Sequence, residues 1–274
     1  MPELPEVETM ARGLRRKITG LTVEEVRVFD RRVIADFDTG RFVREMTGAA
    51  FRAVERRGKG IIITLDRGKY LFVQVKMTGY FVYGPDLREN GGSGETKVIF
   101  RLSNGDFLNY NDQRLFGWLY LVDRLEDIPY LTTIGPEPLG KDFSVAWLTR
   151  ELKKRSSPIK PLLMNQQFIA GIGNIYASEI LFSAKVNPRK RARQLTRRQI
   201  EDVHRHTVSI LEESIRLRGT SMRNYRDAQG RKGRFMDRIR VYGKQDEDCP
   251  ECSQPIIRIV QAQRSTFYCK HCQK

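Results

Sequence analysis

CPECSQPIIRIVQAQRSTFYCKHC, residues 249–272, carries all four cysteines of a 274-residue chain. Cys249 and Cys252 form one C-x2-C pair and Cys269 and Cys272 a second, with 16 residues between them. Two such pairs, each on its own turn, can set four thiolates tetrahedrally around a single Zn²⁺. Two disulfides or four idle thiols are the other readings, but the spacing is that of a metal site, and disulfides do not persist in a reducing cytosol. Four thiolates leave no open coordination position, so the ion is expected to be structural. His271 then has no place in the ligand set. Between the pairs, residues 256–260 and 265–268 alternate like two strands, with Ala262-Gln263-Arg264 as the hairpin tip. Arg264 is well placed there to meet a phosphate; read alone, it is equally a solvated surface charge.

The composition of the rest points the same way. Lys and Arg total 49 against 33 Asp and Glu, a net charge of +16. Such a surplus favours a polyanion, because each phosphate neutralised releases condensed counterions. Some basic proteins are merely basic. A membrane surface is the competing partner, yet no basic amphipathic anchor helix is evident. Hydrophobic residues make up 40% of the chain, enough for real cores, and its length fits two domains of ordinary size or one domain plus appendages. No apolar run reaches the length of about 18 residues that a membrane span needs, and the N-terminus lacks a positive-then-apolar signal pattern. A cytoplasmic, nucleoid-associated location is expected.

Residues 1–18 read as a helix: Pro5 suits its first turn, Glu6 and Glu8 suit the positive end of its dipole, and Val7, Ala11, Leu14 and Ile18 recur at helical spacing. From 22 to 123 the pattern is β, with strands expected at 23–28, 51–54, 61–65, 71–75, 98–102 and 118–122. Asn104-Gly105 signals a hairpin and 91–94 a loop tip. The stretch IGPEPLG, 134–140, looks like a linker or domain boundary. Helical periodicity then returns at 145–154, 161–165, 175–184 and 197–217, followed by a Gly- and Arg-rich loop over 218–237. Within this half, Lys160 precedes AGIGNIY, residues 170–176. Its glycines permit a tight turn, Asn174 suits the N-cap of the next helix, and a helix start of this kind can take a phosphate. An ordinary packing element between helices is the bland alternative.

MPELPEVET at the N-terminus, AGIGNIYASEILF in the middle and QRSTFYCKHCQK at the end, in that order, resemble bacterial formamidopyrimidine-DNA glycosylase over essentially the whole chain. The resemblance implies an α+β multidomain fold: an N-terminal β-sandwich with flanking helices over 1–133, a linker over 134–145, a helix–two-turn–helix domain over 146–240 that includes a lesion-recognition loop at 218–237, and a four-cysteine zinc β-hairpin over 241–274. It implies a monomer that binds double-stranded DNA containing oxidised bases in a basic cleft between its halves, with one structural Zn²⁺.

The resemblance also implies the chemistry. With Met1 removed, Pro2 becomes a secondary amine that attacks C1′ of a damaged nucleotide such as 8-oxoguanine or a formamidopyrimidine. The base leaves, and β,δ-elimination from the resulting iminium cuts the strand. An α-amino group titrates at about 7.7–8.0, so a useful neutral fraction exists without deep burial. Glu3 is then the general acid/base, Glu6 a supporting residue, and Lys59 and Arg264 phosphate contacts that serve the catalytic set. Met77, Arg114 and Phe116 fill the void left by the everted base; on their own, Met77 and Phe116 read as core residues. Lys160, Asn174 and Tyr176 contact DNA, and Thr220, Ser221, Arg223 and Tyr225 belong to the loop that closes on the lesion.

The chain departs from the family pattern in places. Gln74 stands where His is usual, which weakens an expected phosphate contact. Asn165 replaces Asp, Leu115 replaces a basic residue, and Ser265 and Phe267 replace Gly and His. Two rivals compete. An endonuclease VIII-like enzyme acting on oxidised pyrimidines is disfavoured by the ELPEVET opening and the full-length 218–237 loop. A catalytically silent lesion-binding protein has no need of Pro2, Glu3 and Lys59 together.

Overall fold

Helix α1 (Leu4–Ile18) begins on a pair of carboxylates. Glu3 is its N-cap, and a capping box joins Glu3 and Glu6, the Glu3 N–H donating to Glu6 Oε2 at 2.8 Å. Val7, Met10, Ala11, Leu14 and Ile18 are fully buried along one side. Glu8 is more than a partner of the helix dipole: it accepts from Arg12 Nε at 2.7 Å and from Arg56 Nε, on a neighbouring strand, at 2.8 Å. Burial opposes its ionisation, but the two guanidiniums hold its carboxyl below the ordinary value.

The structure is a computed structural model that describes residues 1–85, 94–220 and 233–274. It divides into two units, Met1–Thr133 with Leu217–Arg234, and Ile134–Arg216 with Phe235–Lys274. In the first, the chain runs α1, β1 (Val23–Val28), α2 (Thr39–Met46), β2 (Phe51–Arg57), β3 (Gly60–Leu65), β4 (Tyr70–Gln74), β5 (Gly79–Gly84), β6 (Thr96–Leu102), β7 (Phe107–Asp112), β8 (Trp118–Val122) and α3 (Pro129–Thr133). Two four-stranded sheets form, ordered β1-β6-β7-β5 and β2-β3-β4-β8, with antiparallel pairing throughout. Their inner faces and the apolar side of α1 share one core, in which Phe51, Val54, Ile61, Ile63, Phe81, Phe100 and Tyr110 are buried. This is the expected sandwich.

Two strands and two helices go beyond the sequence reading. Asn104-Gly105 does turn a hairpin, but the return strand is β7, for which the sequence pattern gives no sign. Asn109, Asn111 and Asp112 are all buried in it, so half of its residues are polar groups of a kind that usually marks a turn or loop. Thr96 Oγ1 donates to Asn111 Oδ1 at 2.7 Å, matching one of these amides to a neighbouring strand. β5, α2 and α3 are the other three. Most of the expected 91–94 loop tip lies outside the described residues.

The second unit contains α4 (Val145–Lys153), α5 (Ile159–Met164), α6 (Asn174–Ser183), α7 (Arg197–Arg216), and the antiparallel pair β9 (Ile257–Gln261) and β10 (Arg264–Tyr268). The 134–140 stretch begins at Ile134, the first residue of the second unit, and is hydrogen-bonded into that unit. Gly135 N–H donates to Gln166 O at 2.8 Å and Ala170 N–H to Pro136 O at 3.0 Å, seating it on the turn that follows α5. A side chain at Gly135 would come within 2.5 Å of Phe168 O, which explains the glycine. α7 buries Ile200, Val203, Thr207, Leu211 and Ser214 in one stripe. Beyond it the chain rejoins the first unit, where Arg234 N–H donates to Leu217 O at 2.9 Å. Among the described residues no helix is long and apolar enough to cross a membrane.

Candidate active site and nucleic-acid interface

Pro2 is buried, and Glu3 and Glu6 behind it are 3% and 2% exposed. Besides receiving the Glu3 N–H on one oxygen, Glu6 accepts the Thr220 N–H on the other at 2.6 Å. One buried carboxylate therefore joins the residue next to Pro2 to the start of the long loop. Gly219, at φ +77°, lies against it; a Cβ there would sit 2.7 Å from Glu6 Oε1. Ser221, Arg223 and Tyr225 lie outside the described residues. Lys59 occupies the tight turn between β2 and β3 after Gly58 (φ +57°), its N–H donating to Tyr130 Oη at 2.9 Å.

Met77, Arg114 and Phe116 come together from two loops. Arg114 Nη1 approaches Met77 Sδ at 3.5 Å, and its guanidinium carbon lies 4.5 Å from the Phe116 ring centroid. Met77 is 41% and Phe116 44% exposed, so neither is a core residue. The residues beside them explain the orientation. Lys76 (φ +47°) and Leu115 (φ +55°) take left-handed backbone without being glycine, and Leu115 packs on the sandwich core while Arg114 and Phe116 project outward. Its departure from a basic residue thus provides an apolar anchor. Gln74 is 6% exposed in β4, opposite Gly60 and Trp118.

The second unit assembles Lys160, Asn174 and the zinc hairpin, in a way that corrects two expectations. The N-cap of α6 is Gly173 in extended backbone, not Asn174. The Asn174 side chain is thereby released from capping: Nδ2 donates to Ser265 O at 3.0 Å, and Oδ1 accepts from Lys160 Nζ at 2.5 Å. Lys160 is 1% exposed, and its ammonium also donates to Thr266 Oγ1 at 2.8 Å and Ser265 O at 3.1 Å. All three donors are turned into the protein, so Lys160 is not a surface clamp for phosphate. Tyr176 is likewise interior, its hydroxyl 2.6 Å from Ser214 Oγ and its ring against Phe235. Asn165 caps the end of α5 and accepts the Gln167 N–H at 2.9 Å, which an Asp would do equally.

The four cysteine sulfurs lie within 4.8 Å of one another. Cys249 and Cys272 Sγ are 3.9 Å apart and Cys252 and Cys269 Sγ 3.5 Å. A tetrahedral Zn²⁺ with Zn–S bonds of about 2.3 Å requires S···S edges of about 3.8 Å. The set therefore fits one structural zinc, and His271 takes no part among these ligands. Ala262 and Gln263, both at positive φ, form a two-residue turn, so Arg264 is the first residue of β10, opposite Gln261, and not part of the tip. It is exposed. Ser265 and Phe267 serve the hairpin: Ser265 Oγ accepts from Arg258 Nε at 3.0 Å, and Phe267 meets Tyr242 edge-on.

Sequence reasoning missed Glu179, Thr266, Thr78 and Asp112. Glu179 in α6 accepts backbone N–H groups from Arg240, Val241 and Tyr242 at 2.9–3.0 Å, fixing the approach to the zinc hairpin. Burial raises its carboxyl above the ordinary value, against those three donors. Nothing local marks it, because its partners lie about sixty positions away. Asp112 directly precedes QRLFG, residues 113–117, and that adjacency was the available signal.

Comparison with known proteins agrees with this architecture. Residues 1–119 match the formamidopyrimidine-DNA glycosylase N-terminal domain, 134–226 the formamidopyrimidine-DNA glycosylase H2TH domain, and 246–274 the zinc finger found in FPG and IleRS. The formamidopyrimidine-DNA glycosylase of Desulfitobacterium hafniense is 40% identical, with all of both chains covered. That of Desulforamulus reducens is 39% identical over 100% of this chain and 99% of its own. Among solved structures, the MutM (FPG) protein of Thermus thermophilus superposes with a TM-score of 0.89 at 36% identity, covering 99% of this chain and 98% of its own. Lactococcus lactis Fpg, in complex with DNA containing an abasic site, gives 0.92 at 32%, covering 99% of each. With three domain matches in order and full-length relatives near 40% identity, the chain belongs to the formamidopyrimidine-DNA glycosylase family.

Proposed function

We propose that this protein is a bifunctional base-excision-repair enzyme that removes oxidised purines, 8-oxoguanine and formamidopyrimidines, from double-stranded DNA and then cleaves the strand at the abasic site. It acts as a monomer on the bacterial chromosome. The observation that carries the reading is the Glu6 carboxylate, which accepts the N–H of Glu3, beside Pro2, and the N–H of Thr220, at the root of the lesion loop.

Once Met1 is removed, the Pro2 nitrogen is a secondary amine. It attacks C1′, the glycosidic bond breaks, and the base leaves with its bonding electrons and a proton. The C1′–O4′ bond then opens, O4′ taking a proton from Glu3, and the resulting iminium, which needs no proton to stay cationic, serves as the electron sink for loss of the 3′ and then the 5′ phosphate. Glu3 moves protons at the sugar, and Glu6 fixes Glu3 and the loop in one frame. Met77, Arg114 and Phe116 occupy the gap in the duplex, with Arg114 donating to the base opposite. Lys59, Arg264 and the α6 start with Asn174 meet phosphates. Lys160 is a positioning residue that acts through Asn174 and Ser265, and zinc stiffens the hairpin bearing Arg264.

Borohydride trapping on an 8-oxoguanine:C duplex tests this. A covalent adduct is expected with the native protein and none with Pro2→Gly or with Met1 retained. An undiminished adduct in either assigns the nucleophile elsewhere, and faster release of thymine glycol than of 8-oxoguanine overturns the substrate class.

A further inference from the structure

Asp112 ends β7 with no exposed surface, and among the described residues the groups its carboxylate holds belong to the two loops that carry Met77, Arg114 and Phe116. Oδ2 accepts the Gly117 N–H at 2.7 Å. Oδ1 accepts the Thr78 hydroxyl and, at 3.2 Å, the Arg114 N–H. The same Arg114 N–H lies 3.1 Å from Thr78 Oγ1, so Thr78 and Asp112 share it. One buried anion thereby grips both ends of the 114–117 loop and the residue following Met77. Charge-assisted bonds of this kind are roughly twice as strong as neutral ones.

The packing around it leaves the loops little alternative. Gly79 and Gly117 both lie against the Tyr110 hydroxyl; a Cβ at Gly79 would stand 2.7 Å from it, and one at Gly117 would overlap it while standing 2.9 Å from Asp112 Oδ2. Gly79 N–H closes the Met77 turn onto Val75 O at 2.9 Å. Lys76 and Leu115 hold left-handed backbone that an unrestrained loop would relax.

We propose that Asp112, with Thr78 as its relay, is the positioning residue that makes Met77, Arg114 and Phe116 a single preformed wedge for the gap left by an everted base. The inference rests on the role given to that trio above. A wedge ordered beforehand has no loop entropy to lose at insertion, so the device acts on base eversion and leaves the amine chemistry alone.

The test compares two substrates in single-turnover experiments: an 8-oxoguanine:C duplex, which needs the wedge, and single-stranded DNA with a preformed abasic site, which has no opposite base to replace. Asp112→Asn puts a donor where an acceptor is needed, and Thr78→Val removes the relay while leaving Asp112 in place. Each is expected to slow duplex excision about tenfold, the loss of roughly one buried hydrogen bond, while borohydride trapping on the single strand stays within about twofold of native. Thr78→Ser, which keeps the hydroxyl, is expected to restore the duplex rate, and 2-aminopurine beside the lesion should brighten more slowly in the two impaired variants. Equal losses on both substrates, or an unchanged duplex rate in Thr78→Val, overturn the proposal. If Met77→Ala and Phe116→Ala leave duplex excision unchanged, the reading of the trio itself fails; if those slow it and the Asp112 and Thr78 variants do not, only the positioning device fails.

Discussion

Replacing Lys160 by Met distinguishes an interior tether from a phosphate clamp. The side chain keeps nearly its length and loses three donors, those to Asn174 Oδ1, Ser265 O and Thr266 Oγ1. Three charge-assisted bonds contribute about 4–9 kcal/mol gross. Their removal also relieves several kcal/mol of ammonium desolvation, leaving a net loss of about 3 kcal/mol. For a unit of this size that lowers the melting temperature by about 12 °C. DNA binding should weaken because Asn174 and the hairpin lose their mutual register, but the dependence of binding on salt should not change, since no phosphate contact disappears. A lost direct contact would reduce the slope of log K against log[salt] by about 0.9. Arg264→Ala is the control: exposed at the head of β10, it should reduce that slope by about 0.9 and leave melting unaltered. Thermal unfolding followed by circular dichroism, and fluorescence anisotropy from low to high salt, read both quantities. A Lys160→Met protein that melts like the native one and shows the shallower slope would refute the interior reading.

Three further outcomes are expected. Cys249→Ser should abolish retention of zinc, measured by a chromophoric chelator, and weaken DNA binding at least about tenfold, while the first unit keeps its melting transition, because the metal stabilises only the fold that it pins. Glu8→Gln tests the α1–β2 pairing through pH: Arg12 and Arg56 outweigh burial and lower the folded carboxyl below 4.5, so its stabilisation is present above that value and lost as pH falls through the folded one. As pH falls from neutral into the acid range, the native protein should therefore lose more stability than Glu8→Gln in urea titrations. Gly117→Ala should destabilise the first unit by about 2 kcal/mol in the same titrations, because its methyl group overlaps the Tyr110 hydroxyl.

Local spacing in the chain determines a good deal. Two C-x2-C pairs specify a tetrahedral thiolate site whatever surrounds it, and the Glu3/Glu6 capping box with its apolar stripe specifies α1, because both depend only on residues within a turn or a hairpin of each other. Tertiary structure decides the rest. β7 is hard to read in the sequence because it buries polar residues, Asn109, Asn111 and Asp112, whose burial only the assembled sheet decides. Met77 and Phe116 are ordinary core residues by type; the left-handed backbone at Lys76 and Leu115 and the carboxylate of Asp112 turn them outward. Lys160 looks like any surface lysine until Ser265 and Thr266, more than a hundred positions away, supply the acceptors that draw it inside. A charged group goes wherever its hydrogen bonds can be completed, and that place exists only after distant segments have packed.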